Sequence, residues 1–80
     1  MIEAEYQKVS ESAVLKDVEI KAKRVVISEG AHIDNVRADV GALFVGKDTR
    51  INDSVILTSG SAEIGNYRVV YPGKIGRAHV

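Results

Sequence analysis

Residues 18–51 read VEIKAKRVVISEGAHIDNVRADVGALFVGKDTRI, and apolar or small residues recur in this stretch at an offset of 18 positions. The pairs related by this offset are Val18/Val36, Ile20/Ala38, Ala22/Val40, Val25/Leu43, Ile27/Val45, Ala31/Thr49 and Ile33/Ile51. Val9 and Leu15 extend two of these columns toward the N-terminus. A fixed period of about 20 residues is typical of a solenoid, in which one structural unit stacks on the next.

The spacing inside each repeat indicates short β-strands. Apolar residues alternate at Val18, Ile20 and Ala22, which puts their side chains on one face of a strand. No long window shows the spacing of an amphipathic helix. Three such pieces make up each repeat, and residues that suit corners, such as Gly30 and Asn35, separate them. The sequence therefore predicts an all-β fold, a single-stranded triangular β-helix (a solenoid) with about 18 residues per coil and three to four coils.

The pattern divides the chain into three segments. Residues 1–8 fit no coil and are expected to form a lead-in strand or an N-terminal cap, and residues 9–73 form the β-helix domain, which we expect to be truncated. Ile64 falls one position beyond the repeat, which predicts a one-residue insertion near Ala62 and Glu63. Residues 74–80 resemble an in-frame translation of a sequencing-library adapter and are expected to be a non-native tail. The alternative is that another repeat begins at Ile75.

Composition excludes several classes of function. The 80 residues include 11 basic and 11 acidic side chains, so the net charge gives no reason to expect nucleic acid or an anionic membrane as a partner. No apolar run approaches the length of a membrane span, and residues 1–8 do not resemble a signal peptide. The absence of cysteine is compatible with a reducing compartment. We therefore predict a cytoplasmic protein with no nucleic-acid partner, no membrane span and no cofactor.

Stacking of equivalent residues also predicts contacts between side chains. Parallel coils lie about 4.8 Å apart, so residues 18 positions apart sit directly above one another. Asp17, Asn35 and Asp53 are then expected to form a polar ladder along one edge, and Glu29 to form a surface ion pair with Lys47. These contacts contribute little to stability, since exposed ion pairs are worth roughly 0–1 kcal/mol.

Several segments of the sequence resemble those of a known family. In the segments at 27–33 and 43–56 an aliphatic residue is followed four positions later by a small or β-branched residue. This pattern resembles the hexapeptide-repeat, left-handed β-helix family of acyltransferases and the trailing domains of sugar-nucleotide pyrophosphorylases. The resemblance covers residues 9–73 and implies a homotrimer, with a possible sugar-nucleotide or acyl-CoA ligand in the full-length protein.

One face departs from strict hexads, because Glu19, Lys21, Arg37 and Asp39 occupy positions where hexads bury apolar groups. In this respect the chain is similar to the bactofilins, which polymerise as triangular β-helices, although the glycine-rich motifs usual in that family are missing. This second resemblance implies a filament-forming structural protein. The two alternatives agree on a homo-oligomer, as a trimer or a filament, and differ on whether the chain is an enzyme.

The sequence offers one candidate catalytic residue, His32. The hexapeptide-repeat acyltransferases commonly use a histidine near a subunit interface as their base, so the resemblance implies this role for His32, which is expected to face outward at a corner. The alternative is a solvated surface histidine. No second histidine precedes residue 74, and no metal site is predicted. The function predicted first is a fragment of a hexapeptide-repeat transferase, either for acyl transfer or as the β-helix domain of a sugar-phosphate nucleotidyltransferase, that acts mainly in oligomerisation and scaffolding. The alternative is a polymer-forming, bactofilin-like cytoskeletal or structural protein.

Overall fold

The computed structural model describes residues 1–66, 69–70 and 73–75 of the chain, the last two ranges by their backbone. Six parallel strands account for most of these residues, and no helix occurs among them. The strands are β1 (Ile2–Val9), β2 (Val14–Ile27), β3 (His32–Val45), β4 (Arg50–Ile64), β5 (Val69–Val70) and β6 (Gly73–Ile75). Each of the first four strands pairs with the next one, and β5 and β6 both pair with β4. The predicted β-solenoid is confirmed.

Strand pairing follows the repeat of the sequence. Ile2 lies beside Ile20, Ile20 beside Ala38 and Ala38 beside Ile56, so each step between strands is 18 residues. We call residues 1–17 coil 1, residues 18–35 coil 2 and residues 36–53 coil 3, and coil 4 begins at residue 54. Parallel pairing in register places chemically similar side chains above one another, which lets each inward column pack as a continuous row.

The interior consists of these aliphatic columns. Ile33 and Ile51 are fully buried, and Val25 above Leu43 and Ile27 above Val45 are almost as inaccessible. Of the residues predicted to face inward between positions 18 and 51, all are buried except Ala22, which is half-buried. Burial alternates along each coil and breaks at residues 23–24, 28–30 and 34–35. These breaks divide coil 2 into three straight walls, at residues 18–22 (wall 1), 25–27 (wall 2) and 31–33 (wall 3), which is the three-sided arrangement that the sequence predicts.

Two corners use left-handed backbone. Asp17, Asn35 and Asp53 have φ values of 53°, 53° and 50°, and they occupy the same corner in successive coils. At the corner before wall 3, Gly30 has φ 74° and Asp48, one coil later, has φ 52°. Asn, Asp and Gly are the residues that adopt this region most readily, because short polar side chains bond locally and glycine has no Cβ. The corner residues named from the sequence therefore have the conformation that their chemistry favours.

The insertion in the fourth coil lies earlier than the sequence suggests. Val40 pairs with Thr58 but Ala42 pairs with Ser61, so the offset changes from 18 to 19 between these pairs. The amide of Gly60 donates a hydrogen bond to Thr58 Oγ1 at 3.2 Å, which supports the bulged backbone. The placement near Ala62 and Glu63 is wrong, because both residues already follow the new register and Ala62 is buried beside Leu43. Val45 pairs with Ile64, as the slip predicts.

The two ends of the chain also differ from the sequence pattern. Residues 2–9 form β1, which keeps the 18-residue register with β2, so the lead-in segment is itself part of the first coil. At the other end, the backbone of Gly73–Ile75 pairs with residues 54–56 of β4 at the offset of 19. Residues 76–80, which include most of the segment predicted as a non-native tail, lie outside the described residues.

A substitution pair tests the bulge. A Cβ added to Gly41 would meet the carbonyl oxygens of Ser59 and Gly60 at 2.6 and 2.9 Å, whereas the nearest atom to a Cβ on Gly60 is Thr58 Oγ1 at 3.8 Å. We expect Gly41→Ala to destabilise the protein by roughly 1–3 kcal/mol, because backbone of the bulge must move. Gly60→Ala is the control and is expected to change stability by less than half as much, measured by urea unfolding. Equal effects of the two substitutions would contradict this packing.

A second pair tests the direction of β4. Ile56 is fully buried and its neighbour Leu57 is 50% exposed. Ile56→Val should lower the free energy of unfolding by about 0.5–1.5 kcal/mol, since it removes a packed methylene. Leu57→Val removes the same group from the outer surface and should shift stability by no more than about 0.5 kcal/mol. The reverse order in the same unfolding assay would show that this strand is turned over.

Candidate functional site

His32 begins β3, two residues after the corner at residues 28–30, and it lies on the outer side of wall 3. Its backbone amide donates to the carbonyl oxygen of Thr49 at 2.8 Å, which fixes the strand and leaves the imidazole half-buried at the surface. Val14 and Arg50 are its neighbours in the adjacent coils. The structure therefore places His32 outward, as the sequence predicts, but in the middle of wall 3 and not at a corner.

No second catalytic group is held against this histidine in the described part of the chain. Asp34, two positions further along β3, is half-buried on the same outer side, and neither its carboxylate nor the imidazole makes a hydrogen bond or ion pair within residues 1–66. The described residues contain no group of three or more His, Cys, Asp or Glu side chains that could hold a metal ion. His32 alone supplies a proton acceptor but no arrangement that would orient a substrate.

The predicted polar ladder is present at the corner between walls 3 and 1. The side-chain amide of Asn35 donates to Asp53 Oδ1 at 2.7 Å, and Asp17 occupies the equivalent position in coil 1. These residues line an open groove together with Val18 and Arg37. Because the Asn35 amide is already bonded to the carboxylate of the next coil, the ladder is explained by the stability of the corner.

Charged pairs on the outer surface also follow the 18-residue offset. Lys47 Nζ lies 3.1 Å from Glu29 Oε1, which confirms the predicted pair, and Arg37 Nε lies 3.3 Å from Glu19 Oε2. The guanidinium of Arg24 lies 5.7 Å from the centre of the Tyr6 ring, a stacking that the sequence analysis did not identify. All three contacts join adjacent coils. Because all are exposed to solvent, they contribute little to the stability of the fold.

The most distinctive surface is the uncovered side of coil 1, which we call the end face. Its inward-facing residues follow from the register with coil 2 and are Ile2, Ala4, Gln7, Val9, Ala13 and Leu15. Four of them are half-buried, Leu15 is 36% exposed, and the residues below it in the same column, Ile33 and Ile51, are 0% exposed. Of the described strands, only β2 lies beside β1. The end face therefore combines an unpaired strand edge with the exposed tops of five apolar columns.

The repeat pattern did not assign residues 1–8 to this surface, for an identifiable reason. Gln7 occupies the inward column that continues as Val25 and Leu43, so a polar residue interrupts the apolar pattern in the first coil. A residue at the end of a column keeps contact with solvent, so glutamine is tolerated there. The signal that could have revealed β1 was the offset of 18 between Ile2 and Ile20 and between Ala4 and Ala22, which continues the repeat of Val9 and Ile27 toward the N-terminus.

No protein-family model, curated protein or solved structure matches this chain. Among the residues that the structure describes, no helix is long and apolar enough to cross a membrane.

Two variants of one residue test the ladder corner. Both Asn35→Gly and Asn35→Val remove the bond to Asp53, but only valine must adopt the left-handed conformation with a branched Cβ. We expect Asn35→Val to be less stable than Asn35→Gly by roughly 1–2 kcal/mol in chemical denaturation. Valine equal to or more stable than glycine would argue against a left-handed corner at this position.

Proposed function

We propose that this chain is a structural module that assembles with other copies of itself by adding coil to coil at the end face. The single observation that supports the proposal most is the end face itself, where β1 has one neighbour among the described strands and Leu15 tops a column whose lower members are fully buried. An exposed strand edge offers unpaired N–H and C=O groups to another strand. A second coil laid on this surface would satisfy those groups and bury the apolar tops of the columns.

The side walls are less suited to this role than the end face. Their outer surface carries Glu19 and Arg37 as an ion pair and presents Lys21 and Asp39 to solvent. The large apolar residues exposed on these walls, Tyr6, Val14 and Leu57, lie on different parts of the surface. Core regions of protein interfaces are depleted in charge, so lateral packing would have to cover charges that end-to-end packing leaves in water. This distribution favours assembly along the solenoid axis over the side-by-side trimer that the hexapeptide-repeat resemblance implies.

The scaffolding role is common to both families that the sequence resembles, and it does not depend on a choice between them. A filament-forming protein would use this scaffolding role directly. A transferase fragment would use the same stacking of coils to hold its subunits together. Acyl transfer itself depends on His32, whose half-buried position on the outer side of wall 3 leaves it accessible to a partner. Turnover with acetyl-CoA and a sugar-nucleotide acceptor that disappears in His32→Ala would establish that second function. The cytoplasmic location stays a prediction.

A matched pair of leucines tests the proposal. Leu15 and Leu57 are both partly exposed, but only Leu15 belongs to an inward column at the end face. Leu15→Ser should weaken self-association several-fold, because apolar surface that a second copy would cover is lost. Leu57→Ser, on the outer wall, should leave association unchanged. Sedimentation velocity over a concentration series, with circular dichroism to confirm folding, measures both.

The proposal also predicts the behaviour of the unmodified chain. Its average mass in solution should rise with concentration above that of a single chain, and electron microscopy should show particles elongated along one axis. A folded chain that stays monomeric at every concentration would contradict self-assembly. Association weakened equally by the two serine variants would contradict the use of the end face.

A further inference from the structure

We propose that the partner on the end face is a second copy of this chain in the opposite direction, so that two end faces meet around a twofold axis and β1 pairs antiparallel with the β1 of its copy. This inference rests on the proposed function, because it names the geometry of the contact through which coils are added. The axis would pass through the corner between Glu5 and Tyr6 and, on the opposite side of coil 1, through the middle of wall 3 at Val14. Three features of coil 1 have this symmetry.

The first feature is the order of inward and outward residues along β1. Register with coil 2 makes Ile2 and Ala4 inward, Glu5 and Tyr6 outward, and Gln7 and Val9 inward again. This order reads the same in both directions from the corner. A twofold axis there places Ile2 opposite Val9 of the copy and Ala4 opposite Gln7 of the copy. Each inward residue therefore meets an inward residue, which antiparallel pairing across a shared interior requires.

The second feature is the direction of the backbone groups. The amide of Ile20 donates to the Met1 carbonyl at 2.9 Å, and the amide of Ser10 donates to the Ile27 carbonyl at 3.0 Å. In a parallel ladder, alternate residues bond to the same neighbour, so Met1 and Ser10 direct these groups toward coil 2 while Ile2 and Val9 direct theirs to the free edge. The residues that the axis brings opposite each other are thus the ones with free groups at that edge. In an antiparallel ladder such residues exchange both of their hydrogen bonds.

The third feature is charge. The same axis places Glu3 opposite Lys8 of the copy, and by symmetry Lys8 opposite Glu3 of the copy. Both side chains are exposed on the outer surface, and within the described residues neither takes part in a hydrogen bond or ion pair. Opposite charges on facing antiparallel residues are stabilising, and like charges there are destabilising. The strand is therefore complementary to itself in charge as well as in polarity.

Wall 3 agrees with the same axis. The amide of Val14 donates to the Ala31 carbonyl at 2.8 Å, so Val14 directs its amide toward coil 2 and Leu15 directs its amide to the free edge. The amide of Ala13 donates to the Ser10 carbonyl at 3.0 Å within coil 1 and does not face that edge. Rotation about the middle of this wall places Ala13 opposite Leu15 of the copy and Val14 beside Val14 of the copy. Val14 is 48% exposed although it is a large apolar residue, and this contact would cover it.

Charge reversal tests the twofold axis without touching the core. Glu3→Lys and Lys8→Glu each turn two attractive pairs into two repulsive ones, and each should raise the dissociation constant of the pair of copies by about tenfold. The double variant Glu3→Lys/Lys8→Glu exchanges the charges and should restore association to near that of the unmodified chain. An equimolar mixture of the two single variants should also associate, as a mixed pair. Sedimentation equilibrium at low ionic strength measures these constants.

Glu63→Lys provides the control, because it changes the net charge as Glu3→Lys does but lies in β4, away from coil 1. It should associate like the unmodified chain. If the unmodified chain associates but the double variant is no better than the single ones, the twofold axis is wrong and end-face assembly stands. If Glu63→Lys weakens self-association as much as Glu3→Lys does, the twofold axis is likewise wrong and end-face assembly stands. If the unmodified chain does not associate at all, the proposed function fails and this inference fails with it.

Discussion

The stacking of equivalent side chains at an offset of 18 residues is the constraint on which the rest of this structure depends. An 80-residue chain with one phenylalanine and no tryptophan has little material for a globular core. Here Val25 above Leu43 and Ile33 above Ile51 form rows in which each side chain is covered from two sides. The same register brings strand edges together, so backbone hydrogen bonding and burial of aliphatic surface stabilise one and the same arrangement.

A feature of this structure could be predicted from the sequence where side chains of similar chemical type recur every 18 residues. The columns from position 18 to 51, the ladder at Asn35 and Asp53 and the pair of Glu29 with Lys47 all follow from the period. Two features could not be found in this way. Gln7 interrupts its column because a residue at the end of a stack reaches solvent, and the bulge at Ser59 and Gly60 is set by backbone contacts with Gly41 rather than by side-chain pattern. The outward position of His32 was predictable, whereas its function was not.

The solenoid also separates the surfaces by their chemistry. The side walls have paired charges such as Glu19 with Arg37, and the strands β2 and β3 that form their middle part have a neighbouring strand on each side. The end face has the opposite character, since backbone groups of β1 and the top of the Leu15 column remain without a neighbour in the described structure. A repeat protein propagates its order through contacts between adjacent units, so the same physics that joins coil 1 to coil 2 can join coil 1 to another chain. On this view folding and assembly use one kind of contact.

The most direct measurement is a methyl nuclear Overhauser spectrum of the folded chain in solution. Stacked columns predict strong cross-peaks between the methyl groups of Ile33 and Ile51 and between those of Ile27 and Val45, with none between Ile33 and Leu57. The reverse pattern, with Ile33 and Ile51 showing no mutual contact and exchanging magnetisation chiefly with water, would mean that these side chains do not share an interior and would contradict the account.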